Sequence, residues 1–235
     1  AFDGSSGSLG SISATVFVEE TYDMVNNELI ITDSRLLSKD EVMAIGVDNF
    51  APLSEVPMPR AATITRGRLT ITFSGVYNTS NGVSCNLTGT AHWDDSGLHT
   101  EGENYCATGE DFIGVTWSGS FTAKSHSISG KNQLGGALTI YNSDSTPNAG
   151  RVWSFKDSNP TSKYTLYAKD INLNVNISKN TLTGNGNTAE AVLKYIHTYS
   201  KVKGSISITP GSETVAGSFS LSNTDRQWSL VCTVT

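Results

Sequence analysis

The sequence predicts an all-β protein, either an antiparallel β-sandwich or an open barrel, with one or two short helices. In many short segments, apolar and polar residues alternate with a period of two, as they do along half-buried strands. Turn-forming Gly, Pro, Asn and Ser separate these segments. Ser, Thr and Asn make up about a third of the chain, far above ordinary usage, and this mixture favours strands and turns.

The N-terminal region begins with a Gly- and Ser-rich stretch at residues 1–10, which we expect to be a flexible lead. The rest of the chain, residues 11–235, is then one β-rich domain. Alternation predicts its first strand over residues 11–18, and an apolar run predicts a second over residues 29–32. Prolines mark an irregular connector near residues 51–60, which is the best candidate for a weak internal boundary.

A first short helix is predicted just before that connector. Ser38 and Glu41 have the spacing of a capping box, in which each side chain hydrogen-bonds the other residue's backbone. The apolar residues that follow, up to Gly46, complete about two helical turns.

The middle of the chain carries the clearest strand patterns. Leu69, Ile71 and Phe73 alternate with Thr and Ser, and the residues from Val83 to Trp93 continue this alternation with Cys85 on the apolar side. Residues 113–123 alternate so cleanly that we expect one buried and one solvated face. Further strands are predicted over residues 137–141, 151–155, 164–168, 206–208, 215–221 and 230–234.

Two local features stand out in the C-terminal half. Residues 171–177 alternate strictly, but the apolar parity shifts by one after Ala168, which predicts a β-bulge near Lys169 and Asp170. Residues 188–199 carry apolar side chains at helical spacing and follow a helix-start pattern, which predicts a second helix.

The charge pattern excludes several classes of partner. The formal net charge is −6 and only 16% of residues are charged, without the Lys and Arg clusters that nucleic acids require. No apolar stretch is long enough for a helix to span a membrane. Ala1 in the first position is what signal-peptide cleavage leaves in a secreted protein, so we expect an extracellular or cell-surface location.

The three cysteines permit three pairings, which spacing alone does not distinguish. We predict a disulfide between Cys85 and Cys106, which would close a loop of moderate length and stabilise the fold by about 3 kcal/mol. Cys232 shares the parity of apolar neighbours and is predicted to be an inward, unbonded thiol.

The loop inside that predicted disulfide is the first candidate binding surface. Two histidines with a carboxylate could bind zinc, and the acidic turn faintly resembles a calcium loop, but neither has the spacing of a known motif. We therefore expect a polar recognition loop anchored by its tryptophan, with no metal and no cofactor. Its candidate residues are His92, Trp93, Asp94, Asp95, His99 and Glu101.

The second candidate surface is the polar side of residues 171–177. Asn172, Asn174 and Asn176 alternate with apolar residues, although Asn is disfavoured in strands. Asn side chains can hydrogen-bond saccharide hydroxyls, so a surface glycan is a candidate partner; the alternative is a solvated sheet face that is merely kept uncharged.

No catalytic residue can be assigned from sequence. The chain lacks a nucleophile elbow, and nothing identifies the pair of carboxylates that a glycosidase needs. We expect a non-enzymatic β-sandwich that acts by binding or assembly, as an adhesin, an extracellular filament subunit or a matrix-like module. A secreted carbohydrate-binding module, a glycosidase and a virion surface domain remain alternatives. A further candidate partner is a second copy, through exchange of the N-terminal strand.

Overall fold

The computed structural model describes residues 6–25, 28–47, 63–80, 82–94, 109–160, 165–179, 189–199, 203–224 and 226–235. Strands paired antiparallel make up 73% of them and helix only 5%, so the predicted fold class is confirmed. A curled half-barrel sheet packs against a second sheet, as in a β-sandwich. No helix in these ranges is long and apolar enough to cross a membrane.

The large sheet has the strand order β2-β1-β3-β4-β10-β6, with β9 paired to the start of β10. Every pairing in it is antiparallel. Its strands are β1 (Ser6–Val25), β2 (Glu28–Leu36), β3 (Thr63–Asn78), β4 (Ser84–Asp94), β6 (Phe121–Asn132), β9 (Ser158–Pro160) and β10 (Thr165–Lys179).

The second sheet has the strand order β14-β11-β5-β8-β7, and a separate hairpin, β12-β13, packs beside it. The strands of this sheet are β5 (Asp111–Trp117), β7 (Ile140–Thr146), β8 (Gly150–Phe155), β11 (Ala191–Thr198) and β14 (Gln227–Val234). The hairpin strands are β12 (Ser205–Thr209) and β13 (Ser218–Ser222).

The main core lies between the two sheets. Alternating residues of the large sheet, among them Leu69, Phe73 and Leu173, meet Val115 and Leu193 of the second sheet in one apolar cluster. These side chains are 2% exposed or less, and burying each of them contributes roughly 1.5–3 kcal/mol.

Helix α1 (Lys39–Ile45) confirms the first predicted helix and its capping box. The Ser38 hydroxyl accepts from the Glu41 backbone N–H at 3.3 Å, and the Glu41 carboxylate accepts from the Ser38 N–H at 2.8 Å. Arg35 pairs with the same carboxylate, and these contacts lower the pKa of Glu41 to about 2.

The predicted helix over residues 188–199 is wrong, because the described part of it contains strand β11. This strand pairs with β14 on one edge and β5 on the other. One face of β11 is buried and the other is buried or half-buried, so apolar residues occupy both parities of the strand. Val192, Leu193 and Ile196 therefore imitate a helical spacing without forming a helix.

The predicted continuous strand over residues 113–123 is interrupted, and its expected solvated face is absent. A turn over Ser118, Gly119 and Ser120 separates β5 from β6, and all of β5 is buried. The β12-β13 hairpin covers the side expected to be solvated. The Thr116 hydroxyl, for example, donates to the Gly217 carbonyl oxygen at 2.7 Å.

The predicted bulge is confirmed, since the register between β10 and β6 shifts between Ala168 and Asp170. The predicted Cys85–Cys106 disulfide is not found. Cys85 carries a free thiol because the pleat of β4 turns it into the core, where burial raises its pKa to about 11. Cys106 lies outside the described residues. Cys232 is a buried free thiol, as predicted.

The N-terminal strand pairs within its own chain on both edges, with β2 on one side and β3 on the other. It begins at Ser6, inside the segment predicted to be a flexible lead. Residues 1–5 and the predicted connector at residues 51–60 lie outside the described residues.

Candidate functional site

The described polar residues of the two candidate surfaces lie side by side on one face of the large sheet. Strand β4, which carries His92 and Asp94, is the hydrogen-bonded neighbour of β10, which carries the three asparagines. Asp170 lies opposite His92, and Asn172 follows two residues along β10 on the same face. His92 and Asp94 of the predicted loop surface therefore share one outer face with the predicted Asn surface.

Trp93 does not belong to this face. It lies between His92 and Asp94 in β4, so its side chain points into the core, where it is 3% exposed. Its indole N–H donates to the Tyr195 hydroxyl at 3.2 Å. The other loop candidates, Asp95, His99 and Glu101, lie outside the described residues.

One end of the outer face carries charged side chains that are already paired. Arg68 pairs with Asp94, and the His92 ring lies between Asp94 at 3.3 Å and Asp170 at 2.6 Å. Partial burial acts to raise the pKa of Asp94, but the hydrogen bond and charge of Arg68 outweigh it and hold that pKa below its usual value. Such exposed pairs each stabilise by roughly 0–1 kcal/mol.

The remainder of the outer face is uncharged. Antiparallel register places hydroxyl and amide side chains opposite one another across β1, β3, β4, β10 and β6. We call this surface the neutral face. Its first row is Ser13, Thr72, Thr90, Asn172 and Ser129, and its second is Ser11, Ser74, Thr88, Asn174 and Ser127. Its third row is Asn86, Asn176 and Ser125, and ends at β3, where Asn86 lies opposite the exposed Val76.

Cross-strand hydrogen bonds order part of the neutral face. The Ser13 and Thr72 hydroxyl oxygens are 2.8 Å apart, and the Asn174 amide donates to the Thr88 hydroxyl at 3.1 Å. Rows on such a sheet are about 6.7 Å apart along the strands, and neighbouring strands are about 4.8 Å apart. The neutral face is therefore a regular array of donors and acceptors on a fixed backbone.

A second polar feature lies at one end of the sandwich, where β1 and three strands of the second sheet meet. It consists of Glu20 in β1, Asp111 at the start of β5, Asp157 just after β8 and His197 near the end of β11. We call these four residues the buried cluster, because their side chains are 2%, 0%, 7% and 3% exposed, respectively.

Hydrogen bonds hold the His197 ring of the buried cluster from both sides. Its Nε2 lies 2.9 Å from Glu20 Oε1, and its Nδ1 lies 3.0 Å from Asp111 Oδ2 and 3.6 Å from Asp157 Oδ2. Burial acts to lower the pKa of His197, but the charges and hydrogen bonds of Asp111 and Glu20 outweigh it and raise that pKa well above its usual value.

Neighbouring groups fix the carboxylates. Asp111 accepts from the Tyr195 hydroxyl at 2.5 Å and from the Thr198 backbone N–H at 2.9 Å. Burial and the Asp111 charge raise the pKa of Tyr195 well above its usual value, so the phenol stays a donor. On the other side of the ring, Ser34 donates to Glu20 at 3.1 Å.

Sequence reasoning missed the buried cluster because its members lie far apart in the chain and His197 fell in a segment predicted as a helix. One signal was available. Glu20 has the same parity as Val18 in β1, and His197 has the same parity as Leu193 and Tyr195 in β11. An ionisable residue on the apolar parity of a strand indicates a buried polar contact.

The structure also contains an open cleft of about 520 Å³ next to β5 and β8. Among the described residues lining it, Glu110 is the carboxylate, and Lys203 lies 3.7 Å from it. Hydrolysis of a glycosidic bond requires two carboxylates facing each other across a cleft. The described lining of this cleft does not provide that pair.

Comparison with known proteins adds no assignment: no protein-family description, curated protein or solved structure matches this chain.

Proposed function

We propose that this chain is an extracellular, non-enzymatic binding module that holds a neutral polysaccharide against the neutral face. The observation that carries this proposal is the pair of uninterrupted rows of hydroxyl and amide side chains across five strands, beside the charged pairs at one end of the outer face. The low charge content and Ser-, Thr- and Asn-rich composition support an extracellular location.

The chemistry of the neutral face selects among partner classes. A polyanion such as nucleic acid is bound by Lys and Arg, and the rows of the neutral face contain neither. Protein interfaces are rich in Tyr, Trp, Met and Arg and poor in Ser, which is the opposite of this composition. A saccharide offers many hydroxyls that both donate and accept, which matches the side chains present.

The three asparagines support the same proposal. Asn is unfavourable in strands, yet Asn172, Asn174 and Asn176 occupy successive outward positions in β10, between β4 and β6. Each amide presents two donors and an acceptor that a sheet does not use in its own ladder. Thr, which favours strands, would have stabilised β10 better if solubility were the only requirement.

We expect weak affinity for each module. A hydrogen bond contributes roughly 0.5–1.5 kcal/mol net, because both partners give up water. Several such bonds, set against the entropy cost of association, give a Kd on the order of 0.1–1 mM. Useful retention then requires an insoluble or repetitive ligand that many modules engage together.

The test uses lysine substitutions in matched pairs. Asn172→Lys and Ser127→Lys place charge on exposed positions of the neutral face, whereas Ser207→Lys and Ser220→Lys place the same charge on exposed, paired positions of the β12-β13 hairpin. Binding is measured by sedimentation with insoluble neutral polysaccharides (cellulose, chitin and a β-1,3-glucan) and by calorimetry with their oligosaccharides. An acidic polysaccharide serves as the charged comparison.

We expect retention of the wild type and of the hairpin variants on at least one neutral polysaccharide, and at least a tenfold loss for the neutral-face variants. Equal loss in both pairs, or binding confined to the acidic polysaccharide, would contradict the proposal. Reducing-end release from the bound polysaccharide, abolished by substituting a single carboxylate of this chain, would overturn its non-enzymatic part.

A further inference from the structure

The buried cluster has the geometry of a metal site. Three of its ligand atoms, one each from Asp111, Asp157 and His197, lie within 4.8 Å of one another, and all three residues are buried. Both aspartates approach the same ring nitrogen, Nδ1, while Glu20 approaches the other. The polysaccharide proposal uses none of these residues.

The distances fit a first-row transition metal. Such ions bind imidazole nitrogen and carboxylate oxygen at about 2.0–2.2 Å, which places tetrahedral ligand atoms about 3.4 Å apart. The Nδ1 atom of His197 lies 3.0 Å from the Asp111 oxygen and 3.6 Å from the Asp157 oxygen, on either side of that value. Calcium is a poorer match, because it takes oxygen ligands and six to eight of them.

Glu20 completes the arrangement that metal-binding histidines usually have. A coordinating ring donates its second N–H to a carboxylate, which fixes the tautomer and the ring orientation. Glu20 lies 2.9 Å from Nε2, and it is itself held by Ser34, whose hydroxyl accepts from the Trp228 indole N–H at 3.0 Å. The Nδ1 lone pair of that tautomer points between the two aspartates.

The charges favour a cation at the same place. Three carboxyl groups surround one buried imidazole ring, and buried charges are costly unless compensated. A divalent ion held by Nδ1 and the two aspartates would supply positive charge between these carboxyl groups.

We propose that Asp111, Asp157 and His197 bind a divalent first-row transition metal, with Zn²⁺ as the best match, and that the ion has a structural role. Its ligands come from β5, the segment after β8, and β11, while Glu20 comes from β1 of the large sheet. The ion would therefore tie together one end of the two sheets, and its binding free energy would add to the free energy of unfolding.

The experiment uses the untagged chain, stripped with a chelator and then supplied with Zn²⁺, Mn²⁺ or Ca²⁺. Metal content is measured by mass spectrometry, and the unfolding temperature by calorimetry. We expect one Zn²⁺ per chain and a rise of roughly 5–10 °C when free Zn²⁺ is at 100 times its Kd, with little response to Ca²⁺. Absence of both bound metal and a thermal shift would overturn the proposal.

The matched variants are His197→Gln and His92→Gln. His92 also lies between two aspartates, but its side chain is 42% exposed, so it tests whether any His-Asp-Asp group on this chain binds metal. We expect Zn²⁺ binding to be lost in the first variant and retained in the second. Loss in the second, or retention in the first, would contradict the assignment.

A third measurement covers the case in which His197→Gln does not fold. Calorimetric titration of the stripped wild type with Zn²⁺ gives the number of ions bound per chain, and one is expected. In addition, Co²⁺ in a site of nitrogen and oxygen ligands gives visible absorption bands without a sulfur charge-transfer band. Bound Co²⁺ that shows sulfur ligation would refute the site, because the ligands would then be the cysteines.

Discussion

Two Asp–His contacts in this molecule allow a direct test of how much burial matters. Asp111 lies 3.0 Å from Nδ1 of His197, and Asp170 lies 2.6 Å from Nδ1 of His92. The surface contact is the shorter of the two. The Asp111 side chain is 0% exposed, however, whereas the Asp170 side chain is 41% exposed. We predict that Asp111→Asn destabilises the protein far more than Asp170→Asn does.

The expected magnitudes follow from the surroundings of each carboxylate. Asparagine keeps the shape of Asp111 but removes the charge that stabilises the His197 imidazolium, and breaking a buried pair costs about 3–5 kcal/mol. At 2–4 °C per kcal/mol for a chain of this size, the unfolding temperature falls by roughly 6–20 °C. At Asp170 water replaces the lost contact, so the cost is about 0–1 kcal/mol.

The assay is urea unfolding of both variants and the wild type, with a chelator present so that no metal contributes. Linear extrapolation gives the free energy of unfolding, and an unchanged slope shows that both variants expose the same surface. Equal losses of unfolding free energy in the two variants would refute the reasoning, because burial would then not determine how much an Asp–His contact stabilises the protein. If Asp111→Asn lowers the free energy of unfolding by less than about 1 kcal/mol, the Asp111 carboxylate does not stabilise a charged His197 ring.

Three further predictions concern local packing. Gly114→Ala should lower the free energy of unfolding by about 1–3 kcal/mol, because the added Cβ would lie 2.8 Å from a carbonyl oxygen of β8. Gly119→Ala is the control: its Cβ would lie 3.4 Å from the nearest atom, so the loss in the same urea assay should be smaller. Ser38→Ala should cost about 1 kcal/mol and speed hydrogen exchange across α1, and unchanged exchange would show that the cap is not formed. The thiols of Cys85 and Cys232 should resist alkylation at pH 8 until denaturant is added, because burial raises both pKa values; rapid native labelling would contradict their placement.

Strand alternation and local capping could be predicted from sequence wherever the local pattern decides the structure. Residues 69–73, 85–93 and 171–177 lie with one face in the core and one outside, so the period of two in their sequence predicts these strands correctly. The bulge before Ile171 and the capping box of α1 depend on a few neighbouring residues, and both predictions are confirmed.

The sequence-based predictions are wrong where contacts with a distant part of the chain determine which faces of a strand are buried. Strand β11 is paired on both edges, and the β12-β13 hairpin covers part of its second face and that of β5. Phe219 and Leu221 of the hairpin pack against Phe112 and Ile196, which removes the polar face that an uncovered sheet would show. No local signal reveals that a hairpin formed near the C-terminus will lie on those two strands.

Part of the neutral face could be predicted from the sequence. The alternating asparagines of β10 and the Ser and Thr positions of β3 could each be assigned to an outer side. Their assembly into rows depends on β10 lying between β4 and β6, and these pairings join residues up to about 90 positions apart. Periodicity does not specify which strands are neighbours, so the array becomes apparent only from the register.

The distribution of charge links the two proposals. In the large sheet, Arg68 and Asp94 pair at one end of the outer face, whereas Glu20 turns inward to the buried cluster. A structural ion at that cluster would hold β1 against the second sheet and so limit bending of the sheet that carries the neutral face. Chelation should then lower the unfolding temperature while the neutral face of the folded protein keeps its chemistry. Loss of metal binding with retained polysaccharide binding would separate the two sites; joint loss on chelation, below the unfolding temperature, would mean that the ion shapes the face itself.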